Sequence, residues 1–349
     1  MPDALRIIGL FCICTLAGLV AFWLGVPLAW MVAPMLVSAA LSLAGFSVRL
    51  HRGWRAIGQV LVASAVGVHF TPLALLQTAT NLHFIVLSAL ATVVGGVLIG
   101  RLLARMSHAH AATALYASVP GGPAEMSQLA SSHGGSGGLV AAAQTLRIAL
   151  IILVIPMVLW LLGNDLSGGV PAASDARSVQ PLLLAAVLSA GVVCALLARR
   201  LGLVAAFFLA PLGVSALLSG SGVVELHVPF ALIAVGQILI GTTLGLAFNR
   251  AMFAEAPGFI VWSVLMTLLM IGFCAVQAWI ISGFTDLPLA TLLLATAPGS
   301  VTEMSVTAEV LGLGVAIVAA FHIVRIFIIL PLAALLFRTL PRIDDGEAL

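Results

Sequence analysis

The sequence contains no lysine and little charge of any kind: Asp, Glu, Lys and Arg together make up 7% of 349 residues. A soluble domain carries roughly 25%, so a water-facing globule is excluded. Tyrosine occurs once, and the four cysteines (Cys12, Cys14, Cys194, Cys274) all lie within apolar runs. They read as small hydrophobes, and Cys12-Ile13-Cys14 lacks the partners of a metal site. Segments both long and polar enough to fold in water are also missing, which leaves no place for a DNA-reading domain. The longest candidate, GNDLSGGVPAASDARSVQ at 163–180, reads as a linker.

What the chain does have is apolar length. Hydrophobic residues make up 62% of it, and the mean hydropathy is +1.24. Runs of about 20 apolar residues recur along its whole length, as in a multi-spanning helical membrane protein in a lipid bilayer. The runs are continuous rather than alternating, which argues against a β-barrel. MPDALR followed by IIGLFCICTLAGLVAFWLGV reads as a retained first span, because no A-x-A-like cleavage site follows it.

The chain is also written twice. Shifted by 178, ALYASVPGGPAEMS (114–127) lies over LLLATAPGSVTEMS (292–305) with seven identities in fourteen positions. The register runs without a gap to Arg147 over Arg325, giving 13 identities in 34. Gly58-Gln59 lies over Gly236-Gln237 at the same shift, and Ala33-Pro34 over Ala210-Pro211 at 177. The expected organisation is a first membrane repeat at 1–163, a linker at 164–180 and a second repeat at 181–349.

Each copy offers five spans, near 5–23, 27–46, 56–75, 83–103 and 138–162, then near 181–198, 202–220, 229–248, 258–282 and 313–337. Between the fourth and fifth spans lies a broken helix with arms near 109–119 and 124–133, each about 16 Å long, half a bilayer core. Such a break either crosses the membrane or returns as a hairpin. If it returns, each copy makes five crossings and the second copy is inverted. With the N-terminus inside, Arg6, Arg49, Arg52, Arg55, Arg101, Arg105, Arg199, Arg200, Arg250, Arg338 and Arg342 are then cytoplasmic, and only Arg177 falls outside. The positive-inside rule favours this layout. The expected fold is therefore all-α and polytopic, with two inverted repeats of about five spans and one broken or re-entrant helix each, the plan of a secondary transporter.

A broken helix in lipid needs cover for its freed backbone groups. The tips Pro120-Gly121-Gly122-Pro123 and Pro298-Gly299-Ser300 should face the interior, each starting a helix whose positive end attracts anions. Glu125 and Glu303 follow three residues after Gly122 and Ser300. Ser300-Val301-Thr302-Glu303 matches a capping box, a purely local role, whereas a carboxylate near mid-bilayer is by default a functional candidate. Arg147 and Arg325 each follow their Glu by 22 residues. They can form structural ion pairs with the glutamates or present a fork to an anionic substrate. The expectation is that Glu125, Arg147, Glu303 and Arg325 converge on one site with Gly121, Gly122, Gly299, Ser300, Gln144 and His322. Gln144, Thr145, His322, Gln59 and Gln237 each read also as interhelical hydrogen-bonding groups. Six histidines are dispersed singles, and the His108-Ala109-His110 pair, two apart on a helix, does not face a common metal. No metal and no cofactor is expected.

PGGPAEM in one copy and PGSVTEM in the other, each followed by an apolar helix carrying Arg, resemble the AbrB-type bacterial membrane protein family over nearly the whole chain. That resemblance implies a multi-pass protein of the bacterial inner membrane. Some members are called regulators of another gene's expression, others ammonia monooxygenases. The family is grouped loosely with cation/proton antiporters and bile-acid-type symporters, in which broken helices usually cross. The expected function is a non-enzymatic one: secondary transport or export of a small anionic metabolite, with proton coupling as an option. Indirect regulation is the alternative, and a monooxygenase is disfavoured for want of a metal cluster. The expected partners are a small-molecule or ion substrate and lipid, not nucleic acid, with a homodimer as one option.

Overall fold

The computed structural model describes residues 3–46, 48, 50–161, 180–222, 227–248, 250, 253 and 256–339. The expected linker, up to residue 179, lies outside the described residues, as do Arg49, Arg177 and Arg342. The described residues form fifteen helices and no strand: α1 (Asp3–Trp23), α2 (Ala29–Leu43), α3 (Gly53–Val68), α4 (Pro72–Thr80), α5 (Leu82–Ser107), α6 (Ala111–Ser118), α7 (Pro123–Ser132), α8 (Gly137–Leu161), α9 (Pro181–Arg200), α10 (Ala206–Gly220), α11 (Phe230–Gly245), α12 (Pro257–Ser282), α13 (Leu289–Thr296), α14 (Val301–Val310) and α15 (Val315–Thr339). An all-α fold is therefore what the chain adopts.

Among the described residues, α1, α5, α8, α9 and α12 are long and apolar enough to cross a membrane. A helix lies at each of the ten expected spans, but α2, α3, α10 and α11 have only 15 or 16 residues. At 1.5 Å per residue they are about 22–24 Å long, short of a hydrocarbon core of about 30 Å. The span expected at 56–75 stops early. Thr71 accepts the Ala74 N–H at 3.3 Å and Pro72 stands at the first helical position, so a new helix starts there, bent 88° from α3.

Several local backbone features recur at the shift seen in the sequence. Leu28 and Ala205, 177 apart, both enter their helices left-handed, at φ 55° and 51°. The loops before them turn on Gly25 and Gly202, at φ 71° and 75°. Val26 donates to the Ala21 carbonyl and Leu203 to that of Ala198, both at 3.0 Å, so both helix ends close with the same cap. The arms α7 and α14 end alike: Gly135 donates to Ala130 O at 2.8 Å and Leu313 to Ala308 O at 2.9 Å.

The chain divides into two compact units, each drawing on both halves of the sequence. The first holds residues 1–81, 152–250 and 301–319. Within it α3 crosses α11 where Gly58 meets Gly236; a Cβ on Gly58 would lie 2.8 Å from the Gly236 carbonyl oxygen. Gly67 of α3 sits on Leu212, Ser215 and Ala216 of α10, and its counterpart Gly245 sits on Met35, Ser38 and Ala39, their counterparts in α2. Small residues let the backbones approach this closely. The second unit holds residues 82–151, 251–300 and 320–349. Its core runs from Val93, Val97 and Leu103 through Tyr116 and Met126 to Met270 and Cys274.

Candidate functional site: the two broken helices

The first broken helix returns on itself. Pro120 and Pro123 bracket the tip, and α7 starts with Gly122 as its N-cap and Pro123 at its first turn. The end of α7 then lies beside the start of α6: Ser136 N donates to Thr113 Oγ1 at 2.9 Å, and the Tyr116 hydroxyl lies 3.3 Å from His133 Nδ1. Had the arms run on in one direction, residues 113 and 136 would lie at opposite ends.

Arg147, on α8, is 3% exposed and grips the C-terminal end of the first arm. It donates to the carbonyls of Ala117 at 3.2 Å and Ser118 at 3.3 Å, and to Gln144 Oε1. Gln144 in turn donates to the carbonyls of Tyr116 at 2.6 Å and Val119 at 2.9 Å. These carbonyls are the ones a broken helix leaves open, at the negative end of its dipole, so a guanidinium there meets their hydrogen bonding and has part of its charge offset.

Arg325, on α15, is 6% exposed and holds the second break differently. It donates to Ala297 O at 2.5 Å and to Gly299 O. Those carbonyls correspond to Val119 and Gly121, so the equivalent arginine takes hold two to three residues further round the tip. His322, the counterpart of Gln144, is fully buried one turn earlier on α15.

The two glutamates also differ. Glu125 is half-buried in the first turn of α7, curled back so that a Cβ on Gly122 would strike its carboxylate. Among the described residues it forms no ion pair, with Arg147 or otherwise. Glu303 is fully buried and accepts from Arg55 of α3 at 3.2 Å. Six residues on, at the end of α14, Glu309 Oε2 meets His69 Nε2 at 2.5 Å. The arm α14 is thus tied to α3 near both ends. Burial works to lower the pKa of His69, in the turn after α3, but the Glu309 carboxylate outweighs it and the net effect is a rise.

Of the expected site residues, Glu125, Gly121, Gly122, Arg147, Gln144, Gly299, Ser300, His322 and Arg325 belong to the second unit, and Glu303 to the first. The structure brings Arg147 together with Gln144 and the first tip, and Arg325 with Gly299 of the second. Arg55 enters the sequence reading only as a cytoplasmic charge. Its counterpart at a shift of 178 is Ile233, and that break in the repeat is the one sequence signal that could have singled it out. The partnership of His69 and Glu309 has no such signal. Among the described residues no three His, Cys, Asp or Glu side chains cluster as metal ligands would.

The model of one protein family, described as "Transition state regulatory protein AbrB", matches residues 30–341. A protein of Escherichia coli (strain K12) named "Putative regulator AbrB" is 26% identical over 330 residues, covering 92% of this chain and 93% of its own. A Bacillus subtilis (strain 168) protein named "Uncharacterized protein YhjN" is 25% identical over 351 residues, 93% of this chain and 90% of its own.

Proposed function

The chain belongs to the AbrB family, and on that premise we propose that it is a secondary transporter of a small anionic metabolite across the bacterial inner membrane. The observation that carries this reading is the pair of broken helices, one per repeat, each with a buried arginine at its tip. A break in a helix is tolerated at membrane depth only where protein or a water-filled cavity covers it. Two such breaks in inverted copies are the usual way to build two gates around one substrate. The outer faces of the long helices fit lipid: Leu16, Val20, Val94, Leu98, Val261 and Trp279 are exposed.

The reading takes the α6–α7 return as re-entrant, so that each repeat crosses five times and the second copy is inverted. The short α2, α3, α10 and α11 then cross where neighbouring helices or local thinning make up the length. The two tips are held differently, Glu303 against Arg55 and Glu125 half-buried. Unequal halves of one repeat are what an alternating-access protein presents in either of its end states.

The test is uptake into proteoliposomes. Purified protein, screened against small carboxylates, phosphates and sulfonates, should exchange at least one of them across the bilayer, and Arg147→Lys should abolish the exchange while leaving the protein folded. A complete screen without exchange, by protein shown to be folded and inserted, would count against transport. The family description suggests a second reading, an indirect effect on gene expression through a transported metabolite or a signalling partner. A gene deletion complemented by a folded but transport-dead variant separates them: if that variant restores expression, transport is not the route.

A further inference from the structure

Beside Arg147 lies a cavity of about 10 Å³, within the second unit, between α5, α6, α8 and α12. Its polar wall is Arg147, Ser118, Ser263 and Thr267; Leu103 and Met266 are among its apolar lining. All four polar side chains are at most 7% exposed. Three of them bring buried atoms with no hydrogen-bond partner among the described residues: Arg147 Nε, Ser118 Oγ and Ser263 Oγ. Thr267 spends its hydroxyl proton on the Ser263 carbonyl at 2.8 Å, which leaves its oxygen lone pairs. The counterpart of Ser118 in the second copy, Thr296, is satisfied by the carbonyls of Cys274 and Leu292, both at 2.9 Å.

Nε of a guanidinium only donates, and a serine hydroxyl can rotate to donate. Three unused donors on side chains that line one space call for an acceptor. A water would supply one, but the charge argues for more. Arg147 is buried, and the groups it bonds are neutral: Gln144 and two carbonyls. A buried cation without a counter-charge is expensive. The volume admits about one water-sized atom. We propose that this cavity is an anion subsite that takes a single anionic acceptor atom, either a free halide or one oxygen of a carboxylate. The proposal deepens the transport reading by naming the group recognised, and it adds Ser118, Ser263 and Thr267 to that site.

The test uses the full-length protein in detergent, prepared free of halide and carboxylate, with bromide and acetate as probes. At least one should raise the melting temperature saturably. Ser263→Ala and Ser118→Ala should each weaken its apparent affinity about tenfold, as expected for losing a hydrogen bond to a charged group. Bromide alone, with an anomalous peak between Arg147, Ser118 and Ser263 in crystals, identifies a free ion. Acetate alone, or acetate competing with bromide, identifies the carboxylate of a substrate. Saturation by neither probe in folded protein, or equal response of wild type and both serine variants, overturns the subsite and leaves water as the occupant. Proteoliposomes keep the two readings apart. Binding without exchange of any substrate retains the subsite and rejects transport. Exchange unchanged by Ser263→Ala retains transport and rejects the subsite.

Discussion

Arg55 and Glu303 stand 248 residues apart in sequence and 3.2 Å apart in the fold, the carboxylate fully buried and about a third of the arginine side chain exposed. The pair joins α3 of one copy to the second arm of the other copy's broken helix. Removing Arg55 takes its guanidinium away from the buried Glu303 carboxylate. Arg55→Ala should therefore destabilise the protein by about 1–3 kcal/mol, less than the 3–5 of a fully buried pair because Arg55 reaches solvent. Arg55→Ala combined with Glu303→Gln should recover most of that loss. Thermal unfolding in detergent measures both, and a double variant no better than the single one would show that the pair is not what holds α14.

The second tie between α14 and α3, His69 to Glu309, is titratable. The pKa of folded His69 is raised above its ordinary value of about 6.5. A raised histidine contributes stability that is fully present below the ordinary value and is lost as pH rises through the folded one. The His69 side chain is 43% exposed, so the contribution is that of a surface pair, at most about 1 kcal/mol. Wild-type protein should thus lose slightly more stability than His69→Gln between mildly acidic and alkaline pH. Parallel pH profiles of melting temperature would exclude the link.

Glu125 and Arg147 lie on the same broken helix and its following span without bonding each other. Glu125→Gln and Arg147→Gln should therefore add in their effects on stability to within about 0.5 kcal/mol, with no compensation in the double variant. A double variant markedly more stable than the sum predicts would reveal a direct pair in another state of the protein.

The crossing at Gly58 and Gly236 leaves no room for a methyl group, because a Cβ on Gly58 would approach the Gly236 carbonyl oxygen to 2.8 Å. Gly58→Ala should lower stability by about 1–3 kcal/mol through overpacking. Gly213→Ala, where a Cβ would meet nothing within 4 Å, should be neutral or stabilising. Melting temperatures of the two single variants give the comparison.

The orientation of the repeats is read by labelling. In a cysteine-free background, a single cysteine at Thr285 should react with an impermeant maleimide from the periplasm, and one at Arg250 only from the cytoplasm. Periplasmic reaction at position 250 would rule out an inverted second copy.

Much of the fold was legible because it depends on local chemistry. Apolar length marks the helices, and the two breaks sit where proline and glycine cluster, at Pro120-Gly121-Gly122-Pro123 and Pro298-Gly299-Ser300, whereas single prolines such as Pro34 and Pro211 stay inside their helices. The repeat was legible as well, because identities at a constant shift need no knowledge of packing. Where Arg147 and Arg325 point was decided by the tertiary structure. Spacing alone allowed each to pair with the glutamate 22 residues before it, but the free carbonyls at the ends of α6 and α13 are nearer acceptors at the negative end of a dipole. Arg55 was illegible for a related reason. At the start of α3 it looks like any flanking charge, and only the packing of α14 against α3 brings Glu303 within reach. The unequal grip of the two arginines on their tips lies beyond any sequence argument, because equivalent arginines in two copies can be held in two arrangements, and the surroundings of each decide which one forms.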